Sequence, residues 1–286
     1  HILNLCDRRT IEELLTRHGF RFAKSMGQNF LIEGWVPRDT AEVCGADENC
    51  GVLEIGPGIG PLTQQLCRRA GKVVSIELDE RLYDVLGETM GEFPNFTLVK
   101  GDAMAVDYPA LVSEHFGGLR PLLCANLPYN ITTPVLEKCI LSRCFDSITV
   151  LIQKEAAERI CAKAGSPDYS VFSLQMQYYT EPQIMFEVAP ECFMPAPKVT
   201  SAVLHCPVRK TPPVEVVSEQ ALWRTVKGGF ALRRKTLANS LQSTYPYSKE
   251  QLTEVIVSCG LSPTVRGEKL TLEDYARLTN VLAALG

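Results

Sequence analysis

Short apolar runs recur along the first two thirds of the chain, separated by stretches whose apolar side chains fall at helical spacing. Residues 51–55, 73–76, 96–99, 122–125 and 148–152 are the short runs, and 62–69 and 134–141 are amphipathic stretches between them. That alternation predicts an α/β fold: parallel strands with helices on both faces of the sheet. Residues 183–188 and 199–208 also read as strands, with no full helix between them, so the sheet is expected to end in an antiparallel hairpin. Residues 207–214 hold three prolines and two basic residues and read as a linker, beyond which the periodicity is helical to residue 285. The expected organisation is one domain over 1–212 and a small all-helical domain over 213–286. At the start, Thr10 with Glu13 forms a capping-box pattern, apolar Ile11, Leu14 and Leu15 follow it, and Gly19 closes a short helix; 21–31 then reads as a loop.

With 45% hydrophobic and 22% charged residues, the 286-residue chain is neither disordered nor fibrous. Its eleven cysteines are odd in number and include no C-x-x-C pair, which argues against a disulfide framework and against a clustered zinc site, so no metal is expected. No stretch is apolar enough to span a bilayer and the first residues lack a secretory core, so the reading is a soluble, cytoplasmic protein. A net charge of −4 does not by itself point to nucleic acid. The distribution is more informative: residues 192–213 lack carboxylates but hold Lys198, Arg209 and Lys210. Residues 221–245 lack them too and hold Arg224, Lys227, Arg233, Arg234 and Lys235. These runs are either solvated faces or a phosphate-binding surface.

The strongest local signal is Glu54-Ile55-Gly56-Pro57-Gly58-Ile59-Gly60, after one expected strand and before one expected helix. Glycines there let the backbone turn sharply and approach a ligand. Pro61 stands where the dinucleotide fingerprint needs its third glycine, which speaks against a pyrophosphate cofactor, and the G-x-x-x-x-G-K-[ST] loop is absent. The next strand ends at Glu77, which can accept from both hydroxyls of a ribose, and the one after it ends in Gly101-Asp102-Ala103. Ligands of open α/β sheets sit at the carboxyl ends of strands, so glycine turn, Glu77 and Asp102 converge on one crevice fit for a nucleoside.

The fourth strand runs into Asn126-Leu127-Pro128-Tyr129. The exocyclic amine of adenine is a poor nucleophile, because its lone pair is delocalised into the ring. Acceptors on its hydrogens favour the reactive, pyramidal form. The Asn126 side-chain oxygen and the Leu127 carbonyl can be those acceptors, with Pro128 restricting the backbone and Tyr129 stacking on the base. These two motifs together resemble the adenine-N6 dimethyltransferases of ribosomal RNA. The resemblance extends to Gly27-Gln28-Asn29-Phe30-Leu31, to the stretch from Phe193 to Val203, and to Arg233-Arg234-Lys235-Thr236-Leu237-Ala238-Asn239-Ser240-Leu241. The last element favours the branch acting on small-subunit RNA over the erythromycin-resistance methylases.

The resemblance implies a Rossmann-like class I methyltransferase sheet with S-adenosylmethionine as cofactor. It places the cofactor against Gln28, Asn29, Leu31, Gly56, Gly58, Glu77, Leu78, Asp102, Ala103 and Asn126, and makes Asn126, Leu127, Pro128, Tyr129 and Phe193 the catalytic set. Phe193 would stack on a flipped adenine opposite Tyr129. Lys198, Arg233, Arg234 and Lys235 would meet RNA; Ala238 stands where the family often has a further basic residue. The implied substrate is a pair of adjacent adenines in a hairpin loop near the 3′ end of 16S rRNA, in an immature small subunit. A monomer is implied.

Overall fold

The computed structural model describes residues 1–21 and 29–286, so the expected cofactor contact Gln28 lies outside the described residues. In chain order the elements are α1 (Arg8–Arg17), β1 (Phe30–Leu31), α2 (Trp35–Cys44), β2 (Cys50–Ile55), α3 (Pro61–Cys67), β3 (Lys72–Glu77), α4 (Tyr83–Thr89), β4 (Phe96–Lys100), α5 (Tyr108–Phe116), β5 (Arg120–Asn126), α6 (Thr132–Ser142), β6 (Ser147–Gln153), α7 (Lys154–Ile160), α8 (Val171–Tyr179), β7 (Gln183–Val188), β8 (Phe193–Met194), β9 (Ser201–Pro207), α9 (Glu219–Phe230), α10 (Leu237–Leu241), α11 (Lys249–Ser258) and α12 (Leu272–Leu285). No described helix is long and apolar enough to cross a membrane.

Seven strands form one sheet in the order β4-β3-β2-β5-β6-β9-β7. The first five run parallel, and β9 pairs antiparallel with both β6 and β7. The sequence explains who sits where. Every residue of β2 is buried, as a strand covered on both faces requires, whereas edge strand β7 alternates exposed and half-buried positions along most of its length. The chain leaves β2 toward β3 and β4, then returns to place β5 on the other side of β2. That reversal opens a crevice at the carboxyl ends of β2 and β5.

Two expectations near the start are corrected. Helix α1 is capped by Asp7, not Thr10: the Asp7 carboxylate accepts from the Thr10 amide at 3.0 Å and from its hydroxyl at 2.8 Å. Thr10 is itself a helical residue, so its capping-box partner Glu13 instead pairs with Arg9 one turn away. Within the expected loop 21–31, Phe30 and Leu31 form a strand, paired antiparallel with Met194 and Phe193 of β8.

The chain divides into two compact units, His1–Ala157 with Pro182–Val208, and Glu158–Glu181 with Arg209–Gly286. The first holds the whole sheet. The second is helical and takes in α8, which lies between two sheet strands in sequence. It is joined to the later helices by the Tyr169 hydroxyl donating to the Leu270 carbonyl at 2.8 Å and the Tyr179 hydroxyl donating to Glu219 at 2.8 Å.

Candidate functional site

The carboxyl ends of the parallel strands carry the expected residues. Beyond β2 the backbone enters the left-handed region at Gly56 (φ 65°), Gly58 (φ 60°) and Gly60 (φ 103°), which glycine alone adopts without a Cβ penalty. The Gly56 amide donates to the Ile76 carbonyl at 2.9 Å, extending the β2–β3 ladder, and a Cβ at Gly56 would meet nothing within 4 Å. The turn is therefore open on the side where a ligand would lie.

Glu77 ends β3 with its carboxylate spread between two amides: Oε1 accepts from Gly58 at 3.3 Å and Oε2 from Asp79 at 3.0 Å. Burial raises its pKa above the usual carboxylate range, while the amide bonds oppose that rise. Asp102 follows β4 and is exposed; its Oδ1 accepts from the Met104 amide at 2.9 Å. Leu78 and Met104, just beyond Glu77 and Asp102, are large apolar side chains left 63% and 41% exposed. Ala103 is buried, and its carbonyl accepts from the Tyr108 hydroxyl at 2.8 Å and from Lys138 Nζ at 2.9 Å. Sequence reasoning missed Met104, Tyr108 and Lys138. Met104 had a signal, an apolar residue in a polar turn; the other two depend on tertiary packing.

At the end of β5, Asn126 is half-buried, and among the described residues its carboxamide makes no hydrogen bond. The Leu127 amide donates to the Leu151 carbonyl at 3.1 Å, which holds this backbone to β6. Leu127 is buried, Pro128 exposed and Tyr129 72% exposed. The Thr132 hydroxyl donates to the Pro128 carbonyl at 3.1 Å, tying the loop to the start of α6.

Phe193 sits differently from a free stacking ring. It is 7% exposed, in an apolar cluster with Leu31, Val36, Leu151 and Val203. Asn29 is exposed and donates through Nδ2 to the Pro195 carbonyl, so β1 and β8 bring Asn29, Leu31 and Phe193 together. Lys198 is exposed in the sheet unit; Arg233, Arg234 and Lys235 are exposed between α9 and α10 of the helical unit. Ala238 is fully buried, so its lack of charge removes nothing from the surface. A cavity of about 220 Å³ lies elsewhere, lined by residues such as Asn4, Pro37 and Arg68 and by none of the expected site residues.

The arrangement could hold a nucleoside, with a carboxylate for hydroxyls at Glu77, apolar side chains and Asp102 for a base, and a half-buried carboxamide, without a hydrogen bond among the described residues, three positions before an exposed aromatic residue. The sequence model of the family described as ribosomal RNA adenine dimethylase matches residues 19–284. The ribosomal RNA small subunit methyltransferase A of Geobacillus thermodenitrificans (strain NG80-2) is 40% identical over 279 residues, covering 96% of this chain and 95% of its own. The 23S rRNA methyltransferase ErmE is similar in structure, with a TM-score of 0.70 and 25% identity over 89% of this chain and 100% of that one. A dimethyladenosine transferase from Plasmodium falciparum shares the fold, with a TM-score of 0.72 and 22% identity over 87% of this chain and 95% of its own.

Proposed function

The chain belongs to the ribosomal RNA adenine dimethylase family, and from that premise we propose that it dimethylates N6 of two adjacent adenines in a hairpin loop near the 3′ end of 16S rRNA. It is an S-adenosylmethionine-dependent rRNA adenine dimethyltransferase. The substrate particle in our reading is an immature small subunit, met in the cytoplasm by a monomer. A loop target suits the chemistry, because unstacking a base is cheap there. The observation that carries the reading is the alignment of the glycine turn, Glu77, Asp102 and Asn126 at the ends of neighbouring strands.

The residues present fit the cofactor. The turn is open to close approach at Gly56, Glu77 already holds its carboxylate in place through two amides, and Leu78 and Met104 leave apolar surface uncovered. Bound there, S-adenosylmethionine supplies an electrophilic methyl group. The chain's own part is positioning. Asn126 Oδ1 and the Leu127 carbonyl accept hydrogens of the target amine and so leave its lone pair free to react. Leu127 holds its backbone to β6, and Tyr129 offers an exposed face to the base. Phe193, mostly covered, pairs with Leu31 and so anchors β1. No strong base is required, since the methylated amine loses its proton readily. Exposed Lys198, Arg233, Arg234 and Lys235 meet phosphates.

The test is incubation with radiolabelled S-adenosylmethionine and small subunits from cells lacking the modification, followed by nucleoside analysis. Dimethyladenosine in the 3′-terminal fragment of 16S rRNA is the expected product. Label on large-subunit RNA instead would overturn the substrate while keeping the reaction.

A further inference from the structure

Lys138 stands on α6 between Glu137 and buried Cys139, where sequence alone suggests an ordinary lysine on a helix surface. Its ammonium points instead beneath the turn that follows β4. Nζ donates to the Ala103 carbonyl at 2.9 Å and to the Val106 carbonyl, and lies 4.5 Å from the centre of the Tyr108 ring. Two carbonyls and a π face together engage the ammonium, and among the described residues it has no carboxylate partner.

The same turn begins at Asp102. The Ala105 and Val106 amides donate back to the Asp102 carbonyl at 2.9 and 3.0 Å, and the Met104 amide donates to the Asp102 side chain. The backbone that carries Asp102 and exposes Met104 is thus closed on itself and also fastened to α6. Tyr108 shares the Ala103 carbonyl, but among the contacts described only Lys138 reaches both ends of the turn. Helix α6 also receives the target loop, through Thr132 and the Pro128 carbonyl.

We propose that Lys138 is a positioning residue for the cofactor: by bridging the carbonyls of Ala103 and Val106 from α6, it fixes the turn that presents Asp102 to the cofactor's base. The inference rests on the reading of Asp102 as part of the cofactor edge. Lys138 lies under the turn and acts through Asp102, so losing it shifts cofactor affinity and leaves the methyl-transfer step largely alone.

The experiment compares Lys138→Met, which keeps the aliphatic stem and removes every donor, with Lys138→Arg, whose planar fork can reach two carbonyls. For Lys138→Met, KM for S-adenosylmethionine and Kd for S-adenosylhomocysteine are expected to rise about tenfold with kcat within about twofold, and Lys138→Arg to recover most of the loss. Hydrogen exchange should quicken at the amides of Met104, Ala105 and Val106 but not at Gly56 and Gly58. Ile140→Val, a core truncation on the same helix, controls for general destabilisation. Unchanged KM in Lys138→Met, or a rise no larger than in Ile140→Val at equal loss of Tm, would overturn the proposal. Asp102→Ala separates the layers: weakened affinity there with an intact Lys138→Met refutes the brace alone. Unchanged affinity in Asp102→Ala refutes the cofactor edge and the brace with it.

Discussion

Among the described carboxylates Glu54 is the most completely buried. It is 1% exposed, and its Oε1 accepts the hydroxyls of Thr63 at 2.6 Å and Ser75 at 2.7 Å. Burial pushes its pKa from 4.5 up to about 7, against the pull of those hydroxyls and with some help from the charge on Glu77. The folded pKa lies above the unfolded one, so the stability carried by the neutral form is whole below about 4.5 and is lost as pH rises through 7. Melting the native protein and Glu54→Gln between pH 4 and 9 should therefore show the difference between them shift in favour of the glutamine variant as pH rises, by at most on the order of 3 kcal/mol. A constant difference across that range would mean that the carboxylate has the same pKa folded and unfolded. Asn126 is a second position where one side chain decides an outcome. In the proposed mechanism its carboxamide, half-buried and without a hydrogen bond among the described residues, receives the reacting amine, so Asn126→Ala should lower kcat on the order of 100-fold while cofactor affinity, measured by titration calorimetry, changes far less. Intact turnover would remove Asn126 from the chemistry.

Elements of the helical unit meet so closely that two glycines are obligatory. A Cβ at Gly267, in the turn before α12, would lie 2.1 Å from the Gly229 carbonyl oxygen, and one at Gly229 of α9 would lie 2.4 Å from the Tyr275 hydroxyl. That hydroxyl donates to the Gly267 carbonyl at 2.7 Å, so neither wall can retreat without breaking a buried bond. Gly229→Ala and Gly267→Ala should each cost roughly 1–3 kcal/mol or more in urea unfolding, and a loss under about 0.5 kcal/mol would mean the helices can slide apart. The same contrast between local and distant information explains what could be read from sequence. Central strands such as β2 and β6 are legible because burial on both faces demands a continuous apolar run, and the glycine turn and Asn126 are legible because each follows such a run directly. The pairing of Leu31 with Phe193 joins two-residue strands far apart in sequence and leaves no periodic trace, so β1 read as loop. Lys138 was invisible for a related reason: nothing near it in sequence says that Ala103 and Val106 end their carbonyls beside its ammonium. Segment 158–181 belongs with the later helices through bonds such as Tyr169 to Leu270, which no local pattern announces.

Across the whole molecule the charge is −4, so attraction to an RNA backbone has to come from local concentrations of cations. Arg233, Arg234 and Lys235 are consecutive and exposed, and the acid-free stretch 221–245 around them supplies no carboxylate nearby in sequence to neutralise them. Buried Ala238, one turn on, packs inward and cannot add to that surface. If these cations displace counterions from phosphates, each contributes to the steepness with which affinity falls with salt, about 0.7 per phosphate contact on single-stranded RNA. Replacing all three by alanine should then weaken rRNA binding most at low ionic strength, and lower the slope of log affinity against log salt by up to about 2. KM for S-adenosylmethionine should not move, since the proposed cofactor residues among the described ones lie in the sheet unit. Filter binding from 50 to 300 mM salt decides between the two readings of the basic run. A slope equal to that of the native protein makes it a solvated face; a reduced slope with cofactor kinetics intact makes it part of the surface that holds the RNA.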